Sequence, residues 1–303
     1  MPDLLRPPQL KPGDTIGVAA ISGPVDPQKL ERGIAHLSAK GYGVLEAPNV
    51  RKRCGFLAGT DEERAAGYRA LLCDPKVAAI FFARGGYGAA RVLDRLESDE
   101  LRFHPKIHLG GSDLTALFCF LQQRASLVTF YGPMVAVGID SAEQLDWETV
   151  LSGQTPVPHT FAPENVLAPG RGQGVLLGGC LSLLASVAGT PEALSGRGTI
   201  VFFEDTGEET YRLDRLLTQL ERSGTFDGVQ GLVIGSVVPD TRRESHEQVR
   251  EYLRDRFRSA PFPVAMGLPA GHVPRPRTLP LGGRVALDLE GAGTLSFLHP
   301  GVA

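Results

Sequence analysis

The 303-residue chain has little cysteine, methionine or tryptophan: four, three and one, respectively. Cys54, Cys73, Cys119 and Cys180 are scattered and form no CxxC pair. That spacing excludes a dense disulfide framework and fits a reducing compartment. Residues 1–10 hold three prolines and no long apolar run. Neither a signal peptide nor a membrane anchor is read there, and a cytoplasmic location is expected. Positive charge is not in excess, with 31 Lys and Arg against 34 Asp and Glu and a net charge of -3. No nucleic-acid or membrane partner is therefore expected. The segment after the first apolar run is Ser22-Gly23-Pro24, without the GxGxxG of a dinucleotide site. His104 and His108 have the spacing of a helical metal pair, but Pro105 interrupts that helix, and no metal or other cofactor is expected.

What is present is an ordinary globular composition, 42% hydrophobic and 21% charged, with 37 glycines marking many tight turns. The length favours two domains. We place them at residues 1–140 and 173–303, joined by an irregular crossover at 141–172. The first half alternates short apolar runs with helical segments. Runs at 15–20, 42–47, 77–83, 106–109 and 127–131 read as strands. Asp26 with Pro27 starts one helix, and Thr60 with Glu63 forms a capping box for another. Such alternation implies a parallel sheet covered on both faces, with ligands beyond the carboxyl ends of its strands. In the second half, strands are expected at 199–203 and 229–238, helices at 211–222 and 244–258, and a terminal hairpin at 284–298 whose turn is Glu290-Gly291-Ala292-Gly293.

Two glycine-rich loops fall at strand ends: Arg84-Gly85-Gly86-Tyr87-Gly88 and Gly110-Gly111-Ser112-Asp113. Ser112 on a strand-to-helix turn reads in two ways. It is either a helix N-cap or a nucleophile exposed above the sheet, where free N–H groups and the helix dipole stabilise a negative oxygen. The GxSxG pattern is incomplete, because Leu114 takes the final glycine position. As oxyanion donors the Asp113 N–H and the Gly85–Gly86 loop are well placed. A serine nucleophile needs a base, and the base an orienting acid. His272, in the loop Ala270-Gly271-His272-Val273-Pro274, is the best base among the seven histidines, or else a structural loop histidine. Glu204 and Asp205 end an apolar strand and could orient an imidazole, although Asp205 also suits the N-cap of the following helix. Arg84 is the candidate cation for a substrate carboxylate, on charge and position alone.

Several segments together resemble the LD-carboxypeptidases, the muramoyltetrapeptide carboxypeptidase family. They are Arg84–Gly88, Gly110–Thr115, Gly178-Gly179-Cys180-Leu181-Ser182, Phe203-Glu204-Asp205 with Tyr211 and Arg212, and Gly271-His272 with Thr278-Leu279-Pro280-Leu281-Gly282 downstream. The resemblance implies a Ser–His–Glu triad of Ser112, His272 and Glu204, with oxyanion donors on the Asp113 N–H and a glycine N–H of the Arg84–Gly88 loop. It implies an α/β fold: a flavodoxin-like parallel-sheet N-terminal domain and a mixed α/β C-terminal domain with a β-barrel-like sheet. It also implies a homodimer without metal, and hydrolysis of the bond before a terminal D-alanine in a murein tetrapeptide. Gly111, where the family often has an aromatic residue, and Cys180, where it has asparagine, depart from the pattern and bear on the pocket wall. The alternatives are a microcin-immunity peptidase cleaving aminoacyl-nucleotide antibiotics, for which Trp147 is the only tryptophan that could stack on a base, and a non-catalytic two-domain ligand-binding protein.

Overall fold

Strand β1 (Thr15–Ala19) is buried along nearly its whole length and is an inner strand of the first sheet. A computed structural model of the protein describes residues 4–141, 146–291 and 293–303. Ala292 of the expected hairpin turn, residues 142–145 of the expected crossover and the first three residues lie outside the described residues.

Helix α1 (Pro27–Ala39) begins where expected, the Asp26 carboxylate accepting from the Gln28 and Lys29 N–H groups. β2 (Gly43–Glu46) follows, then α2 (Asp61–Cys73), whose Thr60 and Glu63 form the reciprocal capping box. Next come β3 (Val77–Phe82), α3 (Ser98–Phe103) and β4 (Ile107–Gly110). The helical segment that follows the strand-to-helix turn is divided into a 3-10 turn (Ser112–Leu114), α4 (Thr115–Phe120) and a π-turn (Leu121–Ala125) that ends at left-handed Ser126. β5 (Thr129–Tyr131) completes a five-strand parallel array in the order β2-β1-β3-β4-β5.

The region between the two halves contributes α5 (Trp147–Leu151), β6 (His159–Thr160) and β7 (Val166–Ala168). Beyond it lie β8 (Arg171–Cys180), α6 (Leu181–Val187), β9 (Thr199–Glu208), α7 (Thr210–Arg222), β10 (Gly231–Pro239), α8 (His246–Phe257) and β11 (Val264–Met266). β12 (Leu279–Leu281), β13 (Arg284–Asp288) and β14 (Thr294–Phe297) end the chain's regular structure, the last two as the expected hairpin. The second sheet has the order β6-β14-β13-β8-β9-β10-β11-β7, with β8 to β11 parallel and the remaining pairings antiparallel. Its two edges, β6 and β7, are joined by only the Phe161–Asn165 link. A chain from Thr160 to Val166 reaches about 20 Å at most. A flat eight-stranded sheet is roughly 34 Å across. The sheet must therefore curl, which is the barrel-like character expected of this half.

One strand crosses between the halves. β12 pairs antiparallel with β5, so the C-terminal half supplies the sixth strand of the first sheet. That exchange holds the carboxyl ends of β4 and β5 against those of β8 and β9. Phe82 and Tyr131 of the first sheet, Phe118 of α4 and Phe202 of the second sheet share one core. Among the described residues no helix is long and apolar enough to cross a membrane.

Candidate active site

β4 ends at Gly110, and the chain turns sharply at Ser112, whose φ is +57°. Among the described residues only Ser112 and Ser126 combine a side chain with positive φ. The strain is roughly 1–2 kcal/mol and marks a conformation imposed by its surroundings. Gly111, not Ser112, takes the cap position of the 3-10 turn, and no side-chain cap bond forms there. The N-cap reading of Ser112 is therefore corrected.

The loop after β3 closes on this turn. A Cβ on Gly85 would lie 2.9 Å from Ser112 Cβ and 3.3 Å from the Asp113 nitrogen, so only glycine permits the approach. The Gly23 N–H donates to the Gly85 carbonyl at 3.2 Å and ties in the loop after β1. Asp113 is buried, and its carboxylate accepts from Ser22 Oγ at 2.5 Å and from the Ala89 N–H at 2.8 Å. Three loops at neighbouring carboxyl ends are thus pinned to one another through residues 22, 85, 89 and 113. The Arg84 guanidinium donates to the Pro24 and Gly85 carbonyls, both at 3.2 Å.

Glu204 and His272 come from the second sheet. Glu204 is fully buried on β9, opposite Cys180 at the end of β8. Beyond Ile234 the register of β10 against β9 shifts, a bulge that leaves Gly235 and Ser236 to accommodate the loop after β11, with the Ser236 N–H donating to the Ala270 carbonyl at 2.9 Å. That loop turns at Gly271 (φ +96°), where a Cβ would fall 2.2 Å from Glu204 Oε2. His272 follows, its side chain 32% exposed. Glu204 Oε2 accepts from the His272 backbone N–H at 3.0 Å and from Nδ1 at 2.7 Å. The bond to Glu204 holds the imidazolium above the usual histidine range, against the opposing effect of burial. With Nδ1 engaged, Nε2 is the nitrogen free to accept a proton.

Ser112 and His272 line the same cavity of about 370 Å³, walled on the other sides by Gly111, Tyr131, Met134, Val137 and Pro274. Among the described residues no hydrogen bond joins Ser112 Oγ to the imidazole, so the two groups face a shared space without being closed on each other. Arg84, Gly85, Gly86 and Asp113 stand behind Ser112, outside the cavity lining. Among the described residues no group of three or more His, Cys, Asp or Glu is arranged to hold a metal.

Tyr131, at the end of β5, is the contact that sequence reasoning missed. Its hydroxyl accepts from the Ser112 N–H at 2.8 Å and donates to Glu204 Oε1 at 2.6 Å. A tyrosine ending a buried strand needs a partner for its hydroxyl, and that was the available signal. Trp147 is buried, edge-on to Phe81 at 5.4 Å, and so is removed from any ligand platform.

Asp205 does not cap α7, as the sequence suggested it could; Glu209 holds that cap position. Asp205 accepts instead from the Ser182 N–H at 2.8 Å, in the first turn of α6, and from the Thr206 N–H at 2.7 Å. Burial, reinforced by the Glu204 and Glu208 charges, pushes its carboxyl up to about 6 from 3.8. A group that binds its proton more tightly when folded stabilises fully below its unfolded pKa, and this stability is lost as pH rises through about 6. Two pH units correspond to about 3 kcal/mol. Urea denaturation at pH 4 and pH 7.5 should therefore show a smaller loss of stability on raising pH in Asp205→Asn than in the parent. An equal loss in both proteins would contradict the assignment.

The sequence model of the LD-carboxypeptidase N-terminal domain matches residues 16–132, and that of the LD-carboxypeptidase C-terminal domain matches residues 173–287. The chain is 42% identical, over 99% of its length and 98% of the relative's, to a Streptomyces coelicolor protein named as a carboxypeptidase. A crystal structure of muramoyltetrapeptide carboxypeptidase from Oxalobacter formigenes superposes with a TM-score of 0.77 at 31% identity, covering 93% of this chain and 97% of that one. The microcin C7 self-immunity protein of Escherichia coli is 27% identical over 92% of this chain and 91% of its own. A structure of the microcin C7 self-immunity protein with aspartyl sulfamoyl adenosine superposes with a TM-score of 0.86 at 25% identity, covering 99% of this chain and 100% of that one. With both of its halves matched and close identity along the whole length, the chain belongs to the LD-carboxypeptidase family of peptidases.

Proposed function

We propose that the protein is a serine carboxypeptidase that removes a terminal D-amino acid from a murein tetrapeptide, using Ser112 as nucleophile, His272 as base and Glu204 as the orienting acid. The observation that carries this reading is the Glu204–His272 pair at 2.7 Å facing the same cavity as the strained Ser112 turn. In the proposed reaction substrate fills the cavity and brings Ser112 Oγ within reach of Nε2, a closure common on going from the apo to the bound state. Nε2 takes the hydroxyl proton as Oγ attacks the carbonyl carbon. The oxyanion is stabilised by the Asp113 N–H and a glycine N–H of the Gly85–Gly86 loop, each donor contributing about 3 kcal/mol. His272 then returns the proton to the leaving amine, and water hydrolyses the acyl-serine. Glu204 stays ionised throughout and stabilises the imidazolium.

A second reading, cleavage of an aminoacyl nucleotide, is favoured by the 0.86 TM-score to the microcin C7 self-immunity protein. Against it stands Trp147, which is buried beneath the first sheet and cannot stack on a base. Steady-state assays on a murein tetrapeptide ending in D-alanine and on an aminoacyl sulfamoyl adenosine separate the two. We expect kcat/KM to favour the tetrapeptide by roughly 100-fold or more. The reverse preference would establish the second reading, and turnover of neither substrate would remove both.

A further inference from the structure

Tyr131 joins the two halves of the site. It leaves the first sheet at the carboxyl end of β5, one strand from the Ser112 turn, and its hydroxyl reaches the buried acid of the second sheet. Its ring is fixed from both sides: Phe202 of β9 packs edge-on at 5.5 Å and Phe118 of α4 at 6.4 Å. A hydroxyl so placed has one proton to give and lone pairs to accept with. The proton goes to Glu204 Oε1 and a lone pair takes the Ser112 N–H. Two consequences follow. The Ser112 N–H is committed to Tyr131, so stabilisation of an oxyanion falls to Asp113 and the glycine loop. Glu204 receives Tyr131 on one oxygen and both His272 donors on the other, so its rotation is fixed.

We infer that Tyr131 is a positioning residue for catalysis, holding the backbone of the nucleophile turn and the orienting carboxylate in a single hydrogen-bonded unit across the two sheets. This rests on the assignment of Ser112, His272 and Glu204 made above. Donation from Tyr131 also withdraws negative charge from Glu204 and so limits how strongly Glu204 favours the imidazolium. The titratable groups facing this unit are Glu204 and Asp205 of β9, Cys180 at the end of β8 and His272 of the loop after β11. Burial and the Glu204 charge keep the Tyr131 hydroxyl protonated well beyond the working range.

The test is Tyr131→Phe, assayed on the tetrapeptide beside the parent protein. We expect kcat to fall about 10- to 100-fold, the scale of an orienting group lost from a general acid–base pair. KM should change less than about threefold, because Tyr131 touches no reacting atom in this arrangement. Without the Tyr131 donor, Glu204 favours imidazolium more strongly. As pH is lowered the imidazole is then protonated, and lost as a base, at a higher pH than in the parent, so the acid limb of kcat/KM moves up by about half a unit or more. Replacing Tyr131 with 3,5-difluorotyrosine keeps the shape and makes the hydroxyl a stronger donor, so the limb should move down. Repeating both in the Asp205→Asn background removes the carboxyl that titrates in the same window. Opposite displacements by the two replacements are the signature that packing alone would not produce. A limb that stays in place in the fluorinated protein overturns the inference even if Tyr131→Phe fails to fold. In that event the assignment of the triad survives so long as the parent cleaves the tetrapeptide and a fluorophosphonate probe labels Ser112. A parent that does neither removes the assignment itself.

Discussion

Ser112→Ala should lower kcat on the tetrapeptide by about 10⁴-fold or more while leaving the thermal midpoint within a degree or two of the parent. The two halves of that expectation have separate physical origins. Loss of the hydroxyl removes the atom that forms the acyl bond, and the remaining binding and oxyanion donors cannot replace it. Stability is spared because alanine carries the same Cβ into the same backbone at φ +57°, so the strain is unchanged. Among the described residues the hydroxyl makes no hydrogen bond whose loss would weaken the fold, whereas the Ser112 N–H keeps its bond to Tyr131 at 2.8 Å. Glycine at this position would relieve the positive φ at the expense of a more disordered unfolded chain, so it should be equally inactive and close in stability. Near-parent turnover by Ser112→Ala would remove the nucleophile from its role. A large fall in the midpoint would instead make the turn a structural element.

The parts of this fold that were legible in the sequence are those fixed by local pattern. Asp26 with Pro27 and Thr60 with Glu63 start α1 and α2 because caps satisfy orphan N–H groups within a few residues of themselves. β3 is a run of apolar residues bounded by turn signals, and needs only its own burial to be recognised. What escaped depends on partners far away in the chain. β12 is three residues with Pro280 at its centre, a pattern that argues against a strand. It pairs only because it is an edge strand, supplied to β5 from a hundred and fifty residues downstream. The bulge in β10 is set by the loop after β11, not by the sequence of β10 itself. In the site, Ser112, Glu204 and His272 were visible as chemistry-bearing residues beside glycine at strand ends. Tyr131 was not, since its two bonds join residues 112 and 204, and no spacing in one chain records that meeting.

Glu204→Gln is expected to reduce kcat by on the order of 10³- to 10⁴-fold, the scale seen when an orienting carboxylate in such a triad becomes an amide. The hydrogen-bond inventory around the side chain explains why. One oxygen accepts from Tyr131 and the other from the His272 N–H and Nδ1. An amide offers one oxygen and one NH2 group. If the NH2 faces His272, it meets two donors, and the imidazole must turn over or withdraw. If it faces Tyr131, that hydroxyl is presented with donors from both the amide and Ser112, and its own proton has no acceptor. Either arrangement leaves a buried polar group unpaired, at about 1–3 kcal/mol, and both lose the negative charge that stabilises the imidazolium. Stability should respond less than activity, because a neutral side chain is less costly than a charge at a fully buried position. The pH dependence gives an independent sign. Glu204 is what raises the His272 pKa, so its neutralisation should move the acid limb of the residual activity down, opposite to Tyr131→Phe. Full activity in Glu204→Gln would transfer the role to another acid. Asp205 is committed to the Ser182 and Thr206 N–H groups, and Glu208 lies four residues further along β9, so neither is placed to take it over without rebuilding the site.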